Sequence, residues 1–308
     1  MSELYSYEFS AMGGPCSVHL YADAESVADV AAESAIAEVE RIERRYSRYR
    51  PDSMLADINR VAAQGGRIAV DSETAGLLDY AYTCHRRSGG LFDISSGLLR
   101  KAWDFTSERL PSQHELDRLR ARVGLQRVRW EVPWLAFDTA GMEMDFGGIG
   151  KEYAADRAAG RCAAAGIRHG LVELGGDIHV IGPHPDGRPW EIGIRHPQAP
   201  ETPFAYVHIA RGGLAASGDY ARCIVVDGVR YSHILDPTTG WPVTGLAAVS
   251  VQAECCMVAG SVSTIAMLKG TAGAAWLQTL SVPHLWIDTG GRHGGTLLAP
   301  GPALSSAS

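Results

Sequence analysis

The sequence predicts an α+β fold with a long antiparallel middle. Three observations predict it: helical periodicity fills residues 24–46 and 72–88 and returns after 255, strand-like runs dominate 170–253, and the strands do not alternate regularly with helices. The last point disfavours a doubly wound α/β sheet.

Residues 7–22 alternate in polarity around Gly13-Gly14-Pro15 and predict a first strand pair. Val27, Val30, Ala31, Ala35, Val39, Ile42 and Tyr46 have helical spacing, so 24–46 is an amphipathic helix. A second helix over 72–88 is closed by Gly89-Gly90. Ser112, with Glu115 three residues on, is a capping box that opens a third helix, ended by Gly124. Strands follow near 127–131 and 135–138, and an Ala-rich helix runs to about Ala165. Strands are then expected at 171–173, 178–181, 190–194, 206–209 and 248–253. Asp227-Gly228 favours a type I′ turn between strands at 223–226 and 229–234. Helices at 255–269 and 272–280 and a strand at 284–287 close the chain. The tail after Pro300 is expected to fray.

With 308 residues, 46% of them hydrophobic, the chain can bury one large core or two modest ones. Its net charge is −7, and no Lys/Arg block is long enough to track a phosphate backbone, so no nucleic acid is expected as partner. Arg41, Arg44, Arg45, Arg48 and Arg50 cluster, which reads as the solvated face and C-terminal end of a helix. The six cysteines form no C-x-x-C, and buried reduced thiols fit a reducing compartment. The first residues lack a basic and an apolar signal region, and the longest nearly apolar run, 255–268, is too short to span a bilayer. A soluble, cytoplasmic protein without membrane insertion is expected.

Two segments carry the densest chemistry. Ser217-Gly-Asp-Tyr220 and His233-Ile-Leu-Asp-Pro-Thr-Thr-Gly240 put two carboxylates, a histidine and several hydroxyls on either side of the hairpin. A histidine before a rigid turn is a candidate acid or base, weighed against an ordinary structural histidine. The second segment is Asp145-Phe-Gly-Gly-Ile-Gly-Lys151, between a strand and a helix. It is not a Walker A loop, because Asp145 and Glu152 stand where a glycine and a Ser/Thr would be needed. Its backbone N–H groups could still cradle a phosphate with Lys151 beside it, the alternative being a glycine turn with a surface lysine. Gly175-Gly176 reads as a structural bulge or a close approach to a ligand.

Taken together, these segments resemble the ApbE family of flavin transferases, which move FMN from FAD onto a Ser or Thr of a target protein. The likeness runs from Met12 to about Gly270. It comprises Ala11-Met12-Gly13; Tyr46-Ser-Arg-Tyr49 with Pro51-Asp-Ser53 and Asn59; Gly90-Leu-Phe-Asp93 with Trp103; Asp145 to Lys151 with Asp156; Glu173-Leu-Gly-Gly-Asp177; Trp190-Glu-Ile-Gly-Ile194; and the two segments around the hairpin. Eight motifs in family order make the resemblance specific.

The resemblance implies one ApbE-like (T-fold-like) domain over residues 1–300, a frayed tail at 301–308, and an FAD cleft between two lobes with a soft boundary near 139–143. It implies that Met12, Tyr49, Leu91, Phe92, Asp93, Asp145, Lys151 and Ile234 contact FAD, and that His233 is catalytic. Gly148, through its carbonyl, and Thr264 match Mg²⁺ positions, and Ser263 is a further candidate. The implied partner is an acceptor flavoprotein with a Ser/Thr flavinylation motif. In such a reaction the acceptor hydroxyl attacks the FMN-side phosphorus and AMP leaves, so catalysis is mostly positioning and charge neutralisation. Asp236 and Asp219 are expected, from spacing alone, to orient His233.

The chain departs from the family at one place. The late helix there usually carries an Mg²⁺-binding Asp; here Ala259-Gly260-Ser261-Val262-Ser263-Thr264 has Gly260. A weakened metal is expected, with Gly260→Asp restoring it. An FAD-binding protein without transfer, or an FAD pyrophosphatase giving FMN and AMP, are the alternative functions.

Overall fold

The computed structural model describes residues 2–199, 201–219 and 222–297. Tyr220, in the motif before the hairpin, and the tail after Pro300 lie outside the described residues.

The chain opens with β1 (Glu3–Ala11), β2 (Gly14–Ala22), α1 (Glu25–Tyr46), α2 (Met54–Gln64), β3 (Gly66–Ala69) and α3 (Ser72–Ser88). It continues through α4 (Gln113–Arg120), β4 (Val128–Glu131), β5 (Trp134–Phe137), α5 (Gly150–Ala164), β6 (Gly170–Leu174) and β7 (Asp177–Gly182). The hairpins β8 (Trp190–Arg195) with β9 (Pro203–Ile209), and β11 (Cys223–Val226) with β12 (Val229–Ser232), flank β10 (Gly212–Gly218). Then come β13 (Leu246–Ala253), α6 (Cys256–Leu268), α7 (Gly273–Gln278), β14 (His284–Asp288) and β15 (His293–Gly295).

Among the described residues the main sheet has eight strands in the order β1-β2-β6-β7-β10-β13-β14-β15. Every neighbouring pair is antiparallel. Helix α5 packs on β6 and β7, α6 packs on β10 and β13, and α1 lies against α5. Small side chains permit this: Ala28, Ala31 and Ala35 of α1 and Ala154, Ala155, Ala158 and Ala159 of α5 are all buried. One carboxylate is trapped in the seam. Glu38 is 4% exposed and accepts from Arg41, Arg157 and Arg161 at 3.0–3.1 Å. Local signals set the helix ends. The Ser112–Glu115 capping box is formed in both directions, and Gly89 caps α3 in the left-handed region.

A second, smaller core joins Leu98, Leu99, Trp103, Leu116, Leu119 and Val123 to Ile224 and Leu235. It hangs the β11–β12 hairpin beside the main sheet. Met142 and Met144 belong to the large core. The Asp227-Gly228 turn is as expected, with φ of 50° and 76°. Gly175-Gly176 differs from the expected bulge. Leu174 pairs with Asp177, and both glycines have positive φ, 56° and 94°, making a two-residue hairpin turn.

Candidate active site

A cleft of about 1180 Å³ opens where the Gly-rich turn, the end of α1, the start of α5 and the residues after β12 converge. It gathers Met12, Tyr49, Leu91, Phe92, Asp93, Asp145, Gly148, Lys151, His233, Ile234 and Thr264 on one surface. Segments more than 200 residues apart in sequence therefore share one wall. The volume slightly exceeds the usual range for a small-molecule pocket, about 300–1,000 Å³, and leaves room for a dinucleotide.

Asp145 is the anchor of the Gly-rich segment. Its N–H donates to the Ile94 carbonyl at 2.7 Å, and its carboxylate accepts from the Gly147 N–H at 2.8 Å. Arg48 donates to the same carboxylate at 2.8 Å, and Arg100 forms an ion pair with it. Both arginines line the cleft. The arginine cluster is therefore not a purely solvated face: Arg48 leaves the end of α1 and turns inward. Gly148 sits under the Phe92 ring, and an added Cβ would meet that ring at 3.2–3.3 Å. The ring thus closes against the backbone of the turn.

Lys151, on the first turn of α5, forms an ion pair with Asp177. Asp177 also accepts from the Ala216 N–H at 3.1 Å, which ties α5, β7 and β10 together. Burial acts to lower the Lys151 ammonium, but the charges of Asp177 and Glu152 outweigh it and hold it above its ordinary value. Burial, with Asp177 second, pushes the neighbouring Glu152 up to about 7. Glu152 is 7% exposed and lines the same cleft.

His233 follows β12. Its backbone N–H donates to the Arg222 carbonyl at 3.0 Å, and its ring Nδ1 lies 3.1 Å from that oxygen. A carbonyl only accepts, so Nδ1 carries the proton and Nε2 keeps its lone pair. Burial lowers the imidazole below its ordinary value, opposed by the Arg222 hydrogen bond. The ring is a neutral base near pH 7. Neither expected aspartate orients it. Asp236 spends its carboxylate on the Thr238 N–H and hydroxyl at 2.7 and 2.6 Å, and Asp219 is turned toward Arg230 at 3.9 Å. A main-chain oxygen does that work, and side-chain spacing does not reveal it.

The Ser217 hydroxyl, on β10, lies 2.9 Å from Ser263 and 3.1 Å from Thr264 of the late helix, α6. Thr264 and Ser217 face the cleft. Ser263 is fully buried behind them, donating to the Gly260 carbonyl at 2.9 Å. Asp156, His179 and Cys256 bring donor atoms within 4.8 Å of one another. Their donors are already engaged. Asp156 caps α6 through the Cys256 and Met257 N–H groups at 2.7 and 2.9 Å and accepts from His179 at 2.6 Å, while the Cys256 thiol donates to the Ile178 carbonyl at 3.0 Å.

The remaining expected residues serve in different ways. Met12 has a φ of 55°, held by its N–H donating to Glu43 at 2.8 Å. Tyr49 is 79% exposed, with the Arg48 guanidinium 4.7 Å from its ring centre. Asp93 borders the cleft, yet its carboxylate accepts from the Ser95 N–H and hydroxyl at 2.8 and 2.6 Å and from the Leu125 N–H at 3.0 Å. It shapes the Leu91-Phe92 loop. Sequence reading gave no role in the site to Arg48, Arg100 and Glu152, and it named Ser217 only within its motif. The signal for Glu152 was its place directly after Lys151.

The family model described as the ApbE family matches residues 12–286. An FAD:protein FMN transferase of Vibrio cholerae is 32% identical over 257 residues, covering 81% of this chain and 76% of that protein. The crystal structure of the ApbE protein from Thermotoga maritima superposes with a TM-score of 0.85 at 29% identity, covering 96% of this chain and 97% of the other. The flavin transferase ApbE structure from Vibrio cholerae gives a TM-score of 0.84 at 27% identity, with 96% and 98% covered.

Proposed function

The chain belongs to the ApbE family, and from that premise we propose that it is an FAD:protein FMN transferase, moving FMN from FAD to a Ser or Thr hydroxyl of an acceptor flavoprotein. The observation that carries the reading is His233, whose Nε2 has no hydrogen-bond partner among the described residues, on the same cleft as Lys151. One supplies a neutral base, the other a fixed positive charge.

The acceptor O–H oxygen forms a bond to the FMN-side phosphorus. The bond from that phosphorus to the bridging oxygen breaks, and AMP leaves with that oxygen. The hydroxyl proton goes to His233 Nε2, a transfer that contributes on the order of 10²–10⁴-fold. Lys151, kept charged by Asp177, offsets charge on the pyrophosphate oxygens. Arg48 and Arg100 fix Asp145, whose position sets the Gly-rich turn against the ligand. Leu91, Phe92, Ile234, Met12 and Tyr49 supply apolar and aromatic surface for the flavin and adenine rings.

The Gly148 carbonyl and the Thr264 and Ser217 hydroxyls, backed by Ser263, are hard oxygen donors that fit Mg²⁺. These residues would hold the ion, which when bound neutralises phosphate charge. Helix α6 offers no carboxylate to them.

Among the described residues no helix is long and apolar enough to cross a membrane. A cytoplasmic site of action is part of the proposal, supported by six free cysteines.

The test is to mix the protein with FAD, Mg²⁺ and a flavin-acceptor domain and look for flavin fluorescence on the denatured acceptor. The proposal expects a fluorescent acceptor that is lost with His233→Ala. Tight FAD binding without acceptor labelling would overturn it.

A further inference from the structure

Glu152 is a buried carboxylate with an oxygen left over. It is 7% exposed, and its Oε2 has no hydrogen-bond partner among the described residues. The cation beside it, Lys151, is already paired with Asp177. Two carboxylates thus share one ammonium in a protected corner, and one oxygen of Glu152 stays without a partner among the described residues. A buried carboxylate without a partner is unfavourable, and a cation placed against it relieves that penalty.

The corner lies against α6. A Cβ built on Gly260 would fall 2.5 Å from Glu152 Cγ, 2.8 Å from Oε1 and 2.9 Å from Cδ. The Glu152 side chain fills the space that any side chain at 260 would need. Glu152, Gly148, Ser217 and Thr264 border the same cleft. The unpartnered carboxylate oxygen and the hard hydroxyl donors therefore border one volume.

We propose that Glu152 supplies, from α5, the divalent-cation carboxylate that α6 lacks at Gly260. The carboxylate has changed helices, and the glycine is what makes room for it. The cation is a hard one, Mg²⁺ or Mn²⁺, because the donors are all oxygen. The inference deepens the transfer reading and rests on it only for what the cation would do. Its test therefore reads cation binding without acceptor or turnover, so that loss of one reading leaves the other standing.

The full chain is titrated with Mn²⁺, alone and with FAD, and bound metal is read by electron paramagnetic resonance. Wild type is expected to bind. Glu152→Gln, which keeps the shape, is expected to weaken binding by at least about tenfold. The swap Glu152→Gly with Gly260→Asp is expected to recover affinity to within a few-fold of wild type, because the carboxylate re-enters the same space from α6. Glu152→Gly alone is not expected to recover it. Equal Mn²⁺ affinity in Glu152→Gln and wild type would overturn the proposal. So would a folded swap variant that binds no better than Glu152→Gly.

Discussion

Glu152 and Gly260 face each other across the α5–α6 contact so closely that a Cβ on Gly260 would stand 2.5 Å from Glu152 Cγ. Only one of the two positions can carry a side chain. The expectation that Gly260→Asp alone would restore a metal ligand therefore fails on space. A glycine-to-alanine change inside a helix ordinarily gains about 1 kcal/mol. Here Gly260→Ala should instead lose about 1–2 kcal/mol through overpacking. In a Glu152→Gly background the sign should reverse, with a gain of up to about 1 kcal/mol. Urea unfolding of the four variants measures this coupling.

The Arg222 carbonyl fixes which ring nitrogen of His233 carries the proton, and burial sets when the ring is neutral. A base works only unprotonated. With the imidazole lowered below its ordinary value of about 6.5, transfer should be flat through neutral pH and fall only as pH drops below that value. His233→Ala should reduce kcat by about 10²–10⁴-fold with little change in FAD affinity. A pH–rate profile of acceptor labelling, with FAD at saturation, reads both.

Glu38 is expected to matter for stability and not for transfer. The Arg41 hydrogen bond leads in holding its carboxyl down at about 2, against burial, with Arg161 and Arg157 adding to it. A folded value below the unfolded one, about 4.3, gives stability that is fully present above the unfolded value. That stability is lost as pH falls from there toward 2. Glu38→Gln should cost on the order of 2 kcal/mol at pH 7, and the gap to wild type should narrow below pH of about 4. Thermal unfolding at several pH values tests it.

Asp145 joins Arg48 to Arg100, so its removal frees both guanidinium groups and loosens the Gly-rich turn. Asp145→Ala should weaken FAD binding by about tenfold, or about 1.4 kcal/mol. Quenching of flavin fluorescence measures it directly.

Much of this was legible in the sequence because it is local. The periodicity of α1 and α3, the Ser112 capping box and the Asp227-Gly228 turn each depend on neighbours in the chain. What was not legible depends on distant partners. Strand β10 was missed although it lies inside the main sheet, since Gly212-Gly-Leu-Ala-Ala-Ser-Gly218 looks like a loop. Its smallness has a cause across space: a Cβ on Gly213 would lie 2.2 Å from the Cys256 nitrogen, where α6 begins. Helix α2 was overlooked despite its signals. Ser53 accepts from the Ala56 N–H at 2.9 Å, and Leu55, Ile58 and Ala62 bury one face. Asn59 on that helix brackets Met144, donating to its carbonyl at 3.0 Å and accepting from its N–H at 2.6 Å, which delivers Asp145 to the cleft. The motifs identified which residues belong to the site. The ion pairs of Arg48 and Arg100, the Arg222 carbonyl and the Glu152–Gly260 contact exist only once the chain is folded.

The most direct test of transfer counts two products at once. FAD, Mg²⁺, the protein and an acceptor domain are incubated, and AMP released is compared with flavin covalently held by the acceptor. Transfer predicts one AMP for each flavin attached and no free FMN. AMP with free FMN and an unlabelled acceptor would mean hydrolysis, and would contradict the account.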